Sequence, residues 1–278
     1  TSHRLALERD LRQALAQQEL RVHYQPVMCA QSGRLVGVEA LVRWQHPTLG
    51  LLYPKDFLPL AEETKLLGDI SEWVLTMACR ELEPLVSSHR FKDLRLGVNI
   101  SPMQVEHPQF VQTVVSLVTA SGFPTRNLEL EITEDMIMSD LDQISRKLGQ
   151  LAKHGVRIAI DDFGTGYSSL NYIHRLPIHT LKIDQSFVRE IRQDGGDACI
   201  VDAIVAMAKG LKLQIIAEGV ETEAQLRYLQ NRGCHQVQGF FFGPAGPLAA
   251  LWQVDKVSKL VQLSSGPMQQ ATQQPVTD

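Results

Sequence analysis

Apolar and polar positions along this chain follow two periods. Short runs rich in Val, Ile and Leu read as strands: residues 21–27, 35–44, 94–100, 128–132, 156–160, 180–183, 213–219 and 236–242. Longer stretches with apolar residues three and four apart separate most of them, such as QFVQTVVSLVTASG and DACIVDAIVAMAKGL. These read as amphipathic helices. Strands and helices taking turns predict parallel strands joined by helical crossovers. The first two strands differ, because only a turn around Gln31-Ser32-Gly33 parts them. That predicts a hairpin and one antiparallel pair. Eight strand segments in about 220 residues fit an α/β fold of one modified (β/α)8 TIM-type barrel better than an open sheet.

The two ends differ from this pattern. Residues 1–20 carry Leu7, Leu11 and Leu15 at helical spacing. Periodicity leaves two readings open: a linker from an upstream domain, or a helix closing the bottom of the barrel. Residues 264–278 are polar with no apolar period and predict a disordered tail. The barrel is then expected over 21–263.

A net charge of -4 supplies no broad basic field, which argues against DNA as a partner. A phosphate ligand would need local recognition. The four cysteines form no CxxC pair, so reduced thiols in a cytoplasmic domain are expected, without disulfides or zinc. No apolar run approaches the roughly 18 residues of a membrane span, and any anchor would belong to a longer parent protein.

Active sites of (β/α)8 barrels lie at the carboxyl ends of the strands. Polar residues stand there from the second strand onward: Glu39, Asn99, Glu131 followed by Glu134, Asp161-Asp162, Lys182 and Asp184, Glu218 followed by Glu221, and Gln238. Taken singly, Glu39 or Glu131 reads at least as well as a helix cap or a surface charge. Asp161-Asp162 is more telling, since it follows Ile158-Ala159-Ile160 and precedes a glycine loop, Gly164-Thr165-Gly166. The five carboxylates of Glu39, Glu131, Asp161, Asp162 and Glu218, meeting on one rim, would repel one another unless cations bind. All-oxygen ligands suit hard ions, so two divalent cations, Mg²⁺ or Mn²⁺, are expected. Such a pair serves in-line attack on a phosphate. The glycine loop lacks the Gly-Lys-Ser/Thr of a P-loop and by itself reads better as a plain strand-to-helix turn. None of the nine histidines forms HxxxH or HExxH, which argues against a zinc hydrolase.

Eight ordered segments carry a family resemblance: YQPV (24–27), EALVRW (39–44), NISP (99–102), ELEITE (129–134), DDFGTGYSSL (161–170), LKIDQSFV (181–188), AEGVET (217–222) and QGFFF (238–242). From about Leu11 to Leu251 the chain resembles the EAL domain of bacterial cyclic di-GMP phosphodiesterases. The resemblance implies hydrolysis of cyclic di-GMP to linear pGpG. It implies metal ligation by Glu39, Asn99, Glu131 and Asp161, with Asp161 bridging to a second ion that Asp162 also binds. Lys182 would hold the attacking water, and Glu218 would act as general base or water-mediated ligand. Glu134 would support the glycine loop, and Asp184 would stand beside it as further support. Glu221 and Gln238 would position water, while Gln25, Leu41 (through its backbone) and Arg43 would contact substrate. One departure is visible. Where many members carry a basic residue and then Pro-Leu, this chain has Gly243-Pro244-Ala245-Gly246, which bears on binding of the second guanine.

Some members bind the messenger without cutting it, usually after losing metal ligands. Every such position is intact here, which favours an enzyme over a receptor. An enolase-type lyase also uses strand-end acids, a lysine and Mg²⁺, but the aspartate pair favours phosphate chemistry. The resemblance further implies a homodimer through residues 165–176 and the helix near 197–210, where Ile200, Ile204, Val205 and Met207 form an apolar face. That face reads equally well as packing on the barrel. An upstream sensory or cyclase-like domain is expected in the parent protein.

Overall fold

The computed structural model describes residues 2–165, 173–191 and 198–253, without the side chains at positions 2, 3, 138 and 139. The expected tail at 264–278 and the glycine loop beyond Thr165 lie outside the described residues. The strands are β1 (Leu20–Cys29), β2 (Leu35–His46), β3 (Gly50–Leu52), β4 (Arg95–Asn99), β5 (Leu128–Thr133), β6 (Arg157–Phe163), β7 (Thr180–Ile183), β8 (Gln214–Ala217) and β9 (Gln236–Gln238). The helices are α1 (Ser2–Ala14), α2 (Pro54–Glu63), α3 (Leu67–Val86), α4 (Pro102–Glu106), α5 (Phe110–Ser121), α6 (Glu134–Ser139), α7 (Leu141–Lys153), α8 (Gln185–Arg189), α9 (Cys199–Gly210) and α10 (Glu223–Arg232).

The sheet runs β1-β9-β8-β7-β6-β5-β4-β2-β3, and β1 also pairs with β2, closing eight strands into a barrel. From β2 through β4 to β9 the neighbours are parallel. The expected hairpin forms, with Gly33 at φ 62 in its turn. Strand β1 also runs antiparallel to β9, so the barrel holds two antiparallel pairings rather than one. One reversed strand in a closed barrel must oppose both its neighbours. The three-residue β3, too short to carry a period, escaped the sequence reading and pairs with the far end of β2.

Alternate residues of each strand face opposite ways. One set is apolar and buried: Val38, Ala40, Leu96, Val98, Leu130, Ile132, Ile158, Ile160, Leu181, Ile183, Ile215 and Ala217. These pack into one hydrophobic cluster with residues of the surrounding helices, such as Val74, Leu75 and Ala78 of α3 and Val114 and Val118 of α5. The other set lines the barrel and is largely polar. Near the amino-terminal ends, Glu129 Oε2 accepts from Arg157 Nε (3.1 Å) and Thr180 Oγ1 (2.8 Å). Beside them Gln214 Oε1 accepts from Arg95 Nη1 (2.6 Å) and Gln236 Nε2 (3.1 Å). Buried polar groups are tolerated because they pair with one another. The hydrophobic core therefore lies outside the barrel wall, which leaves the interior free for charged chemistry.

Helix α1 buries Leu11 and Ala14. Just after it, Glu19 Oε2 accepts a 2.8 Å hydrogen bond from Trp44 Nε1, and Asp10 Oδ2 stands 3.4 Å from His46 Nε2. Trp44 and His46 lie beyond Glu39, at the carboxyl end of β2. The helix is thus attached at the carboxyl ends of the parallel strands and does not close the bottom of the barrel.

Candidate active site

Seven polar side chains converge at the carboxyl ends of the strands. At their centre is the ammonium of Lys182 on β7, only 1% exposed. Its Nζ lies 2.6 Å from Glu131 Oε2, 2.7 Å from Glu218 Oε1, 3.1 Å from Asp161 Oδ1 and 3.4 Å from Glu39 Oε2. Glu39 also accepts from Asn99 Nδ2 on β4 (2.7 Å) and from Gln238 Nε2 on β9 (2.6 Å). These residues are far apart in sequence, and barrel closure alone joins them.

Local backbone devices set the geometry. Gly97 stands beside Glu39 in the sheet, and a Cβ there would approach Glu131 Oε1 to 2.2 Å. The missing side chain gives the Glu131 carboxylate its room. On β6 the pairing with β7 is irregular between Ile160 and Phe163, and Asp162 takes a left-handed backbone at φ 51. Such irregularities re-aim side chains at the rims of barrels, and Asp is one of the residues that tolerates this conformation. The Asp162 carbonyl accepts from Thr165 Oγ1 (2.8 Å), and Glu134 Oε2 accepts from Gly164 N–H (3.3 Å). Glu134 is buried at the start of α6. Asp184 accepts from Ser186 N–H and so caps α8.

Strand β9 ends at Gln238, although the sequence pattern carries it to residue 242. Gly239 sits at φ 156, where a Cβ would come within 2.2 Å of the Val220 carbonyl oxygen. Val220 N–H donates to the Gln238 carbonyl (3.0 Å), and Phe241 N–H donates to the Val220 carbonyl (2.9 Å). The chain leaves the sheet there, turning Phe240 outward with 67% of its surface exposed.

Beside the acids is an open cleft lined by Gln25, Glu39, Leu41, Asp161, Gln185, Glu218, Gly219, Glu221, Gln238, Gly239 and Phe240. Gln25, Leu41, Glu221 and Gln238 among the expected residues thus share it with the carboxylates. Gln185, Gly219 and Phe240 were not singled out from sequence. The sequence pattern places Phe240 within a strand, and Gln185 carries no charge to draw notice. Arg43 is buried further along β2, its guanidinium 5.0 Å from the centre of the Tyr53 ring. Its Nε, like Gln238 Oε1, has no hydrogen-bond partner among the described residues.

Burial and mutual repulsion divide the acids. Burial favours the neutral form of each. For Glu39, Lys182 and the hydrogen bonds from Gln238 and Asn99 outweigh burial, and its pKa lies below the usual range. Glu131 is raised well above its ordinary value by burial and by the charge of Glu39. Glu218 is raised to about 8, by burial first and then by Asp161 and Glu39, against the pull of Lys182. Asp162 is raised to about 6 by burial and the neighbouring Asp161 and Asp184. Burial opposes the charge on Lys182, but the four carboxylates outweigh it and hold its pKa well above normal.

A divalent cation suits this set. One carboxylate oxygen from each of Asp161, Asp162 and Glu218 lies within 4.8 Å of the others. All the donors are oxygens, as Mg²⁺ and Mn²⁺ prefer. The unpartnered Gln238 Oε1 adds a further acceptor in the same cleft.

Comparison with known proteins agrees with this architecture. The family described as EAL domain matches residues 8–245. The chain is 47% identical over 247 residues to the bifunctional diguanylate cyclase/cyclic di-GMP phosphodiesterase MucR of Pseudomonas aeruginosa, covering 89% of this chain and 36% of MucR. It is 44% identical over 248 residues to the cyclic di-GMP phosphodiesterase NbdA of the same organism, covering 89% of this chain and 31% of NbdA. Among solved structures, the PaMucR phosphodiesterase in complex with c-di-GMP superposes with a TM-score of 0.84 at 47% identity, covering 88% of this chain and 99% of that one. The EAL domain of Mycobacterium smegmatis DcpA gives 0.70 at 34% identity, covering 89% of this chain and 100% of that one. The chain spans about a third of the length of the curated relatives it matches.

The raised acids would set a pH dependence for any divalent cation held by Asp161, Asp162 and Glu218. In the metal-free protein Asp162 holds a proton up to about pH 6 and Glu218 up to about pH 8, and a metal ligand must be deprotonated. Apparent affinity for Mn²⁺ is therefore expected to rise with pH and to level off above the higher value, with protons released on binding. Calorimetry in buffers of different ionisation enthalpy measures both. Equal affinity at pH 5.5 and pH 8.5, with no proton release, would contradict the assignment.

Proposed function

The chain belongs to the EAL domain family, and from that premise we propose that it hydrolyses cyclic di-GMP to linear pGpG using two divalent cations, Mg²⁺ or Mn²⁺. The observation that carries this reading is the acidic cluster around Lys182, opening on a cleft at the carboxyl end of a closed barrel. The cyclic di-GMP complex of the PaMucR phosphodiesterase supports the choice of substrate.

Glu39, Asn99, Glu131 and Asp161 would hold one ion. Asp161, Asp162 and Glu218 would hold the other, with Asp161 shared. When bound, such ions would supply an activated water at neutral pH and take up charge on the phosphoryl oxygens. Lys182 donates a hydrogen bond to the attacking water, and Glu218 orients that water or accepts its proton. The water oxygen bonds to phosphorus, the bond from phosphorus to the ribose O3′ breaks, and the proton ends on O3′. Gln25, the Leu41 backbone and Arg43 hold the dinucleotide. The Arg43 guanidinium, with an unpartnered Nε, is suited to a phosphate or a guanine edge. Gln238 and Glu221 position water on the cleft wall. Glu134 steadies Gly164 and with it the aspartate pair, and Asp184 anchors the start of α8 beside them.

In the parent protein we place an upstream sensory or cyclase-like domain, with α1 as the connecting helix and the chain in the cytoplasm. No described helix is long and apolar enough to cross a membrane. We also propose a homodimer. Ile204 and Val205 are buried in the core, so half of the face expected from sequence serves the barrel. Ile200, Ala203 and Met207, with Phe163, Gly164 and Cys199, remain around an open apolar surface.

Three measurements test these proposals. Incubation with cyclic di-GMP and Mn²⁺ or Mg²⁺, followed by chromatography, is expected to yield pGpG and to yield none with EDTA. Glu39→Ala is expected to lose turnover at least about a hundredfold while keeping a native circular dichroism spectrum. Binding without product would instead favour a receptor. Sedimentation equilibrium is expected to show a dimer that Ile200→Asp disrupts; a monomer at every concentration would exclude it.

A further inference from the structure

The residues of β1 alternate between two faces. Leu20, Val22 and Tyr24 are buried in the hydrophobic core, while Arg21, His23 and Gln25 share the opposite face. The antiparallel register with β2 sets Gln25 opposite Glu39, His23 opposite Leu41 and Arg21 opposite Arg43. Gln25, Glu39 and Leu41 line the cleft beside the acids. His23 therefore stands one step further out on the same wall. Gln25 is its neighbour along the strand, and Arg43 is its diagonal neighbour across the pair, a spacing that long side chains span. Arg21, the next residue on that face, is turned aside: its Nη1 donates to the Gln18 carbonyl (2.6 Å) and the Leu20 carbonyl (2.7 Å).

The segment that departs from the family pattern holds the His23 ring. Tyr24 N–H donates to the Gly246 carbonyl (2.7 Å), and Gly246 N–H donates to the Tyr24 carbonyl (3.2 Å). Residues 243–246 are Gly, Pro, Ala and Gly, so what they bring to the wall is backbone. The Ala245 backbone hydrogen-bonds the imidazole in the sense that favours its protonated form, as a carbonyl acceptor does. Burial, and after it the Arg43 charge, work the other way and leave the ring's pKa below its ordinary value. A neutral imidazole has one donor nitrogen and one acceptor nitrogen. With the donor given to Ala245, the second nitrogen is left as an acceptor.

We propose that His23 is a further substrate-contacting residue: held by the segment after β9, between Gln25 and Arg43, it accepts a hydrogen bond from a donor group of the bound dinucleotide. This rests on the cyclic di-GMP reading above and extends its binding wall by one residue. Cyclic di-GMP offers two kinds of donor, the N1–H and N2 amine edge of guanine and the ribose 2′-hydroxyl. Arg43 has only donors and meets a phosphate or the acceptor edge of a base. The two side chains together therefore read complementary features of one ligand.

The test combines steady-state hydrolysis of cyclic di-GMP with Mn²⁺ and calorimetric binding of cyclic di-GMP in EDTA. It compares the unmodified chain with His23→Ala, His23→Gln and His23→Asn. His23→Ala is expected to raise KM and the dissociation constant about tenfold, the worth of one hydrogen bond whose donor is left unpaired, and to change kcat by less than about twofold. One of the two amides, whose oxygens stand near the positions of the two ring nitrogens, is expected to restore most of that loss. Cyclic di-IMP, which lacks the N2 amine, separates the donors. If His23 meets that amine, His23→Ala costs nothing further on this analogue; if it meets N1–H or the ribose hydroxyl, the same factor is lost again. Should His23→Ala fail to fold, His23→Phe keeps the ring without its nitrogens and takes its place with the same expectation. Unchanged KM and dissociation constant would overturn the proposal, as would a fall in kcat at unchanged KM or a loss that neither amide restores. An unmodified protein that neither binds nor cuts cyclic di-GMP would instead sink the substrate reading itself, which separates that failure from this one.

Discussion

A buried ammonium surrounded by carboxylates is the constraint on which the rest of this structure depends. Breaking such a set by removing one partner leaves uncompensated charge in a poorly solvated interior, at a cost of several kcal/mol. The protein must therefore supply every member at once, from five different strands or their ends. A closed barrel is one of the few architectures able to do so, because each strand delivers one side chain to the same rim. The fold and the site are in this sense one design. Glu39, Glu131 and Glu218 are tolerated because Lys182 is there, and Lys182 is held charged because they are.

The barrel wall divides two kinds of interior. Outside it, the apolar faces of strands and helices form the hydrophobic core. Inside, hydrogen-bonded polar groups fill the amino-terminal end, and the charged cluster fills the other. Small irregularities then set the geometry. Gly97 leaves space for the Glu131 carboxylate, the left-handed Asp162 turns the second aspartate, and Gly239 takes the chain out of β9 against Val220. Gly97 and Gly239 carry no side chain to react, yet each helps set the geometry of the site.

Much of this was legible in the sequence. The strands with their alternation and length were found, and barrel closure then followed from their number and spacing. The strand-end rule alone brings Glu39, Asn99, Glu131, Asp161, Lys182, Glu218 and Gln238 to one rim. What was missed depends on three-dimensional approach. The end of β9 at Gln238 is set by a backbone contact with Val220, which no local pattern encodes, so Phe240 was read as part of a strand. The three residues of β3 are too few to show a period. The reversal of β1 against β9 follows from closure, which joins residues some two hundred apart in sequence. The burial of Ile204 and Val205 beside the exposed Ile200 needed the actual rotation of α9 on the barrel.

The central claim is that this cluster is a two-metal site. Anomalous diffraction from crystals grown with Mn²⁺ addresses it most directly. The account predicts two peaks a few ångströms apart, one among Glu39, Asn99, Glu131 and Asp161, the other among Asp161, Asp162 and Glu218. Crystals at saturating Mn²⁺ with no anomalous density at the cluster, and Lys182 still bonded to its carboxylates, would contradict it.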